Sequence, residues 1–273
     1  MDPAHRMVFT SAYRPGIKIA FMKRYFILFF MTTLLCSGTA QAQPKFKAIV
    51  LAERGGHHES FVVAGLNWLK QYAMQENFDY IVLNKPDTIT KEFLKDYQLF
   101  IQLNFPPYMW SDGSKAAFED YIDNGKGAWI GFHHASLLGE FDGYRIWPWF
   151  SDFLGGIRFK NYIAARADGE VYIERKRHPV FAGLPSHFNL PAEEWYTFDK
   201  DPRENVEVLA TVDENSYKPT TDIKMGDHPV IWINPNKKAR NIYFLFGHHG
   251  GLFDVKEFRQ LLTNTMNWAV KDK

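Results

Sequence analysis

The chain has 273 residues, 46% of them hydrophobic and 16% aromatic, and a net charge of +1. That length supports a substantial core in one large or two small domains, and the near-neutral charge offers no basic face, so no nucleic acid partner is expected. The single cysteine, Cys36, excludes an internal disulfide.

Residues 1–42 read as an over-extended start followed by a secretory signal peptide. Lys23 and Arg24 precede the short apolar stretch 25–35, and small residues at 37–42 offer a cleavage site. The apolar stretch is too short to span a bilayer, so no stable membrane insertion is expected after signal removal. The expected location is periplasmic or secreted. A lipoprotein anchor at Cys36 is the alternative, disfavoured by the bulky Leu35 before it. Residues 1–42 hold five basic residues (Arg6, Arg14, Lys18, Lys23, Arg24) and one acidic (Asp2). Removing them from the chain's 32 basic and 31 acidic residues leaves a net charge of −3.

Residues 43–273 are expected to form a single domain in which strand and helix alternate. Residues 47–53 are an apolar, β-branched run typical of a buried parallel strand. Phe61, Gly65, Trp68 and Tyr72 then recur at helical spacing. Strands are expected at 78–84 and 99–105 around a short helix at 90–97. Ser114 is expected to cap a helix ending near Asn124-Gly125. Residues 127–132 read as a fourth strand. From Asp142 onward an aromatic, Gly-rich segment suggests a loop or short helix over the crevice. Further strands are expected at 167–174, 194–198 and 206–212, with a connector at 178–185. A hairpin is expected over 228–234 and 241–246, and a closing helix over 255–270. This order predicts a doubly wound sheet with right-handed crossovers and an antiparallel extension.

Six of the ten histidines form adjacent pairs just past predicted strands: His57-His58, His133-His134 and His248-His249. In open α/β sheets the carboxyl ends of parallel strands form the ligand crevice. The pairs should therefore converge on one cleft if their strands are parallel neighbours. Imidazole suits both proton transfer near neutral pH and metal binding.

The segments GFHHAS, HPVFAGLP, EEWYTF, VLATVD, HPVIW and FGHHGGLF follow one another in this order. Together they resemble the ThuA-like (trehalose utilisation) family of the class I glutamine-amidotransferase-like superfamily, across about residues 46–270. The resemblance implies a flavodoxin-like α/β fold and a link to sugar metabolism, with 3-keto sugars derived from disaccharides as substrates. The family's G-x-H falls on Gly131-Phe132-His133, its acidic-x-x-Tyr segment on Glu193 to Tyr196, its His-Pro-x-x-Trp on His228 to Trp232, and its late Gly-His on Gly247-His248. Two departures stand out: His134 replaces a common alanine, and residues 158–162 read RFKNY where many members carry His-Pro. True amidotransferases carry a nucleophilic cysteine at this elbow. Here it is His133, and no cysteine follows residue 36, so glutamine amidotransfer is excluded.

Two chemistries fit. In one, His133 is the central acid/base, His248 and His57 are its partners, and Glu194 and Tyr196 orient or donate protons. In the other, two or three of His57, His133, His134 and His248, with Glu53 or Glu194, hold a divalent metal ion, one ligand from each pair and His57, His133 and His248 the first candidates. His134, His58, His249 and His228 are candidates for substrate contact, as are Trp232 and the loop tryptophans Trp110 and Trp147, which could form a sugar platform. The expected partner is a small-molecule carbohydrate, and a homo-oligomer remains open. Rival readings are a non-catalytic sugar-binding module and a metal-dependent hydrolase of an ester or amide.

Overall fold

Short apolar runs build the centre of the molecule. β1 (Lys47–Ala52), β2 (Asp79–Leu83), β3 (Leu99–Leu103), β4 (Ala128–Phe132) and β11 (Asn241–Phe244) pair in parallel, in the order β2-β1-β3-β4-β11. β3, β4 and β11 are buried at every position, which explains their continuous rather than alternating hydrophobicity. The computed structural model describes residues 43–271; the expected signal segment lies outside the described residues. Residues from Pro44 onward form one compact unit.

The sheet continues antiparallel through β10 (Pro229–Ile233), β9 (Glu207–Lys218), β6 (Ala167–Ile173) and β7 (His187–Glu193), giving nine strands. β5 (Phe159–Tyr162) and β8 (Tyr196–Phe198) form a separate antiparallel pair.

Helices cover both faces, as expected of a doubly wound sheet. α1 (Glu59–Glu76) and α5 (Lys256–Ala269) share one face, where Phe61 packs against Phe132 and Phe258. α3 (Asp112–Asp123) and α4 (Pro148–Phe153) share the other: Phe118 meets Phe100 and Phe150, and Trp129 meets Phe150 and Phe153. The short α2 (Lys91–Leu94) is capped by Thr90. Among the described residues no helix is long and apolar enough to cross a membrane.

Several expectations are corrected. Ser111, not Ser114, caps α3; the Ser114 amide donates to Ser111 Oγ, and the Ser114 hydroxyl donates to the Pro86 carbonyl. β7 contains Pro191, which argues against a strand, but β7 is the sheet's edge, where a missing N–H breaks no ladder. Glu194 and Trp195 lie between β7 and β8 rather than in a strand, so Glu194 and Tyr196 do not alternate along one pleat. β4 and β11 are neighbours, but β3 separates β1 from β4.

Candidate functional site

The chain leaves β1 through Glu53 and reaches His58 at the N-cap position of α1. It leaves β4 directly into His133 and His134, and it leaves β11 through Gly247 into His248. All three exits are carboxyl ends of parallel strands, the edge at which such sheets bind ligands. The His58 ring centroid lies 4.9 Å from that of His133, 4.6 Å from His134 and 5.0 Å from His248.

His133 sits at a strained turn. Its φ of 37° is in the left-handed region, uncommon for a residue with a side chain. The turn is held from behind: Tyr243 donates its hydroxyl to the His133 carbonyl at 2.9 Å and packs against Trp232, ring centroids 4.5 Å apart. Gly247, at φ 141°, lies so close that a Cβ there would stand 3.3 Å from His133 Cβ and 3.2 Å from Phe61. That close approach accounts for glycine before His248.

Two carboxylates organise the imidazoles. Glu53 accepts from His58 Nδ1 at 2.8 Å and from His134 Nδ1 at 3.1 Å. Burial opposes the Glu53 charge, but hydrogen bonds from His134 and His58 outweigh it and hold the carboxyl down at about 2. Glu194 Oε2 lies 3.4 Å from His133 Nε2 and 3.2 Å from His248 Nδ1. Burial opposes its charge too, and the two histidines hold it well below the usual carboxylate range. His133 is fully buried, and burial pushes its imidazole down to about 3, against the opposing pull of Glu194. His133 Nδ1 donates to the Leu245 carbonyl at 2.8 Å, and the Tyr196 ring lies 4.0 Å away. Burial, with Glu194 nearby, raises the Tyr196 phenol.

Glu193 locks the third exit. Its Oε2 accepts from the Gly247 and His248 amides at 3.0 and 3.2 Å, while burial raises the carboxyl to about 8 despite those bonds. Asn104, at the end of β3, donates to the Gly247 carbonyl at 2.7 Å.

The expected site residues separate into two groups. His133, His248, Glu194 and Tyr196 come together, joined by His58 and His134. His57 does not: it is exposed, because α1 begins at Glu59 and turns His58 inward instead. His249 is a latch rather than a substrate contact, since Nε2 donates to the Pro191 carbonyl and Nδ1 accepts from the Gly251 amide. His228 is fully buried, with Nε2 on the Tyr196 carbonyl and Nδ1 2.9 Å from Glu214. It supports Tyr196 from below. Trp232 is core behind the elbow. Trp110 and Trp147 are buried against each other and against Phe118, their indole N–H groups donating to Pro106 and Glu119. Neither forms a platform, because α4 folds back on the sheet and carries Trp147 inward.

The open aromatic surface lies elsewhere. A cleft of about 560 Å³ is lined by Glu53, Arg54, Asp87, Tyr108, Met109 and Tyr144, among others. Tyr108 and Tyr144 stand with ring centroids 6.0 Å apart, and Tyr144 is exposed. Glu53 belongs to both the cleft and the histidine cluster. The sequence signal for this wall is the Pro106-Pro107-Tyr108 loop after β3, at the same edge of the sheet.

A trehalose utilisation family profile, ThuA, matches residues 47–269. The chain belongs to the ThuA family. It is similar to the structure of a ThuA-like protein from Bacteroides uniformis, with a TM-score of 0.76 and 30% identity over 87% of this chain and 96% of that one. A ThuA-like protein from Parabacteroides merdae gives a TM-score of 0.63 and 19% identity, over 85% and 91%. The glutaminase domain of Trypanosoma brucei CTPS shares the fold at a TM-score of 0.54 and 10% identity, over 84% and 95%. No match is found among curated proteins. Family membership places the chain in carbohydrate utilisation, on a glutamine-amidotransferase-like scaffold whose elbow holds His133.

Proposed function

We propose that the chain is an exported enzyme that acts on a keto-sugar or keto-glycoside by histidine proton transfer. The observation that carries this reading is Glu53, which lines the open cleft and also holds His134 of the histidine cluster. Export rests on the signal-like residues 22–42. The cleft has the volume for a sugar of one or two rings, and its walls mix tyrosine faces with charged groups, as carbohydrate recognition requires.

The proton-moving role falls to His134 rather than His133. His133 is fully buried and held neutral, which suits a fixed element of the site floor better than a base in contact with solvent and substrate. His134 is only partly buried. Its Nδ1 is taken by Glu53, so the Nε2 lone pair is the one left for a substrate. His134 Nε2 takes the proton from the carbon beside the keto group. The C–H electron pair becomes the enediolate double bond, and the carbonyl oxygen takes the negative charge. Glu53 stabilises the imidazolium that forms. The proton then returns to a neighbouring atom, giving isomerisation, or the enediolate expels a leaving group, giving elimination.

Incubating purified protein with 3-keto-trehalose and, separately, with trehalose tests the reading. Turnover of the keto-sugar, reduced about 10²- to 10⁴-fold in His134→Ala, is the expected result. Sugar binding without turnover would instead make the chain a binding module.

A further inference from the structure

Three buried imidazole nitrogens face one another with no hydrogen-bond partner among the described residues: His58 Nε2, His133 Nε2 and His248 Nδ1. Polar atoms buried without partners are rare, because each forfeits its hydration. Three around one point, with a carboxylate beside them, call for a common partner. Their ligand atoms and a Glu194 oxygen all lie within 4.8 Å of one another.

The tautomers sharpen this. His133 Nδ1 must carry its proton to donate to the Leu245 carbonyl, and His58 Nδ1 must carry its proton to donate to the Glu53 carboxylate. In each neutral ring Nε2 is then a bare lone pair. Two lone pairs and the Glu194 carboxylate point toward the same space, which is repulsive unless a cation lies between them. Carbonyl and carboxylate partners on the remote nitrogen are the outer supports that ligating histidines use.

We propose that His58, His133, His248 and Glu194 form a binding site for one divalent transition-metal ion, zinc by ligand type. Zinc takes nitrogen at about 2.0–2.1 Å in a tetrahedron, which separates neighbouring ligand atoms by about 3.3 Å. The Glu194 oxygen stands 3.4 Å from His133 and 3.2 Å from His248. Three imidazoles and one carboxylate suit zinc better than the all-oxygen sets that calcium and magnesium take. Glu53 fixes the orientation of His58, and Leu245 that of His133. The inference deepens the reading of the same site: four protein ligands close the zinc tetrahedron, so the ion would hold the buried cluster in place, and the Glu53–His134 pair stays available for protons.

Isothermal titration of tag-free, chelator-treated protein with zinc chloride tests the site without any sugar. One zinc per chain is expected, with binding retained in His57→Ala, lost in the His58→Ala/His248→Ala double variant, and weakened about 10- to 100-fold in Glu53→Gln. Absence of stoichiometric binding, or undiminished binding by the folded double variant, would overturn the proposal. Should the double variant fail to fold, cobalt(II) added to the unaltered protein decides: the intense visible bands of a tetrahedral ion support the site, and the weak spectrum of hydrated cobalt refutes it. Zinc binding without keto-sugar turnover removes the proposed reaction and leaves the metal site. Turnover by protein that binds no zinc does the reverse.

Discussion

Glu53 Oε2 accepts a hydrogen bond from His58 Nδ1 at 2.8 Å, and this bond decides which nitrogen of His58 faces the other histidines. The second oxygen of the same carboxylate holds His134. One side chain thus orients two neighbouring rings of the cluster and itself lines the cleft. Glu53→Gln should lower kcat/KM on a keto-glycoside by about 10²- to 10⁴-fold, because an amide cannot accept from both imidazoles. Circular dichroism should show an unchanged fold, since Glu53 is only partly buried. Unaltered kinetics would remove Glu53 from the site.

Tyr108 and Trp147 should respond in opposite ways to truncation. Tyr108 lines the open cleft, so Tyr108→Ala should raise KM with little change in melting temperature. Trp147 is buried between Trp110, Phe118 and Phe150. Its loss should cost about 3–5 kcal/mol of stability, visible in denaturant unfolding. The reverse pattern would restore the tryptophans as the sugar-binding surface.

The parallel half of the fold was legible because its inner strands β3, β4 and β11 are buried on both faces and read as mainly apolar runs. The edge was less so: Pro191 hides β7, and Ala192 at φ 51° bends the chain just before the two glutamates. Glu193 and Glu194 therefore look like a single acidic patch in sequence. In space one clamps the backbone of Gly247 and His248, and the other meets His133 and His248. The histidine pairs marked the right edge of the sheet, but which member turns inward depends on where the next helix starts. A one-residue shift in the start of α1 would exchange His57 for His58. Trp110 and Trp147 misled because a loop position does not reveal whether the loop folds back on the core.

Acid stability should report on the support beneath Tyr196. Burial opposes the Glu214 charge, but His228 and the Met225 and Gly226 amides outweigh it and hold its carboxyl below the ordinary carboxylate range. A carboxyl lowered on folding contributes stability above its unfolded value and loses it as pH falls through the folded one. Glu214→Gln should therefore destabilise the protein at pH 7, and the difference from the unaltered protein should shrink below about pH 4. Chemical denaturation at both pH values measures this. A difference that does not depend on pH would mean that the carboxylate's charge contributes nothing.

The most direct test of the cluster compares two adjacent residues. His57 is exposed and His58 is buried among His133, His134 and His248. The measurement is kcat/KM on 3-keto-trehalose for His57→Ala and His58→Ala, with folding confirmed for both. His57→Ala should match the unaltered protein, and His58→Ala should fall by at least about 10²-fold. Equal activity in the two variants, or a loss confined to His57→Ala, would contradict a catalytic histidine cluster at this sheet edge.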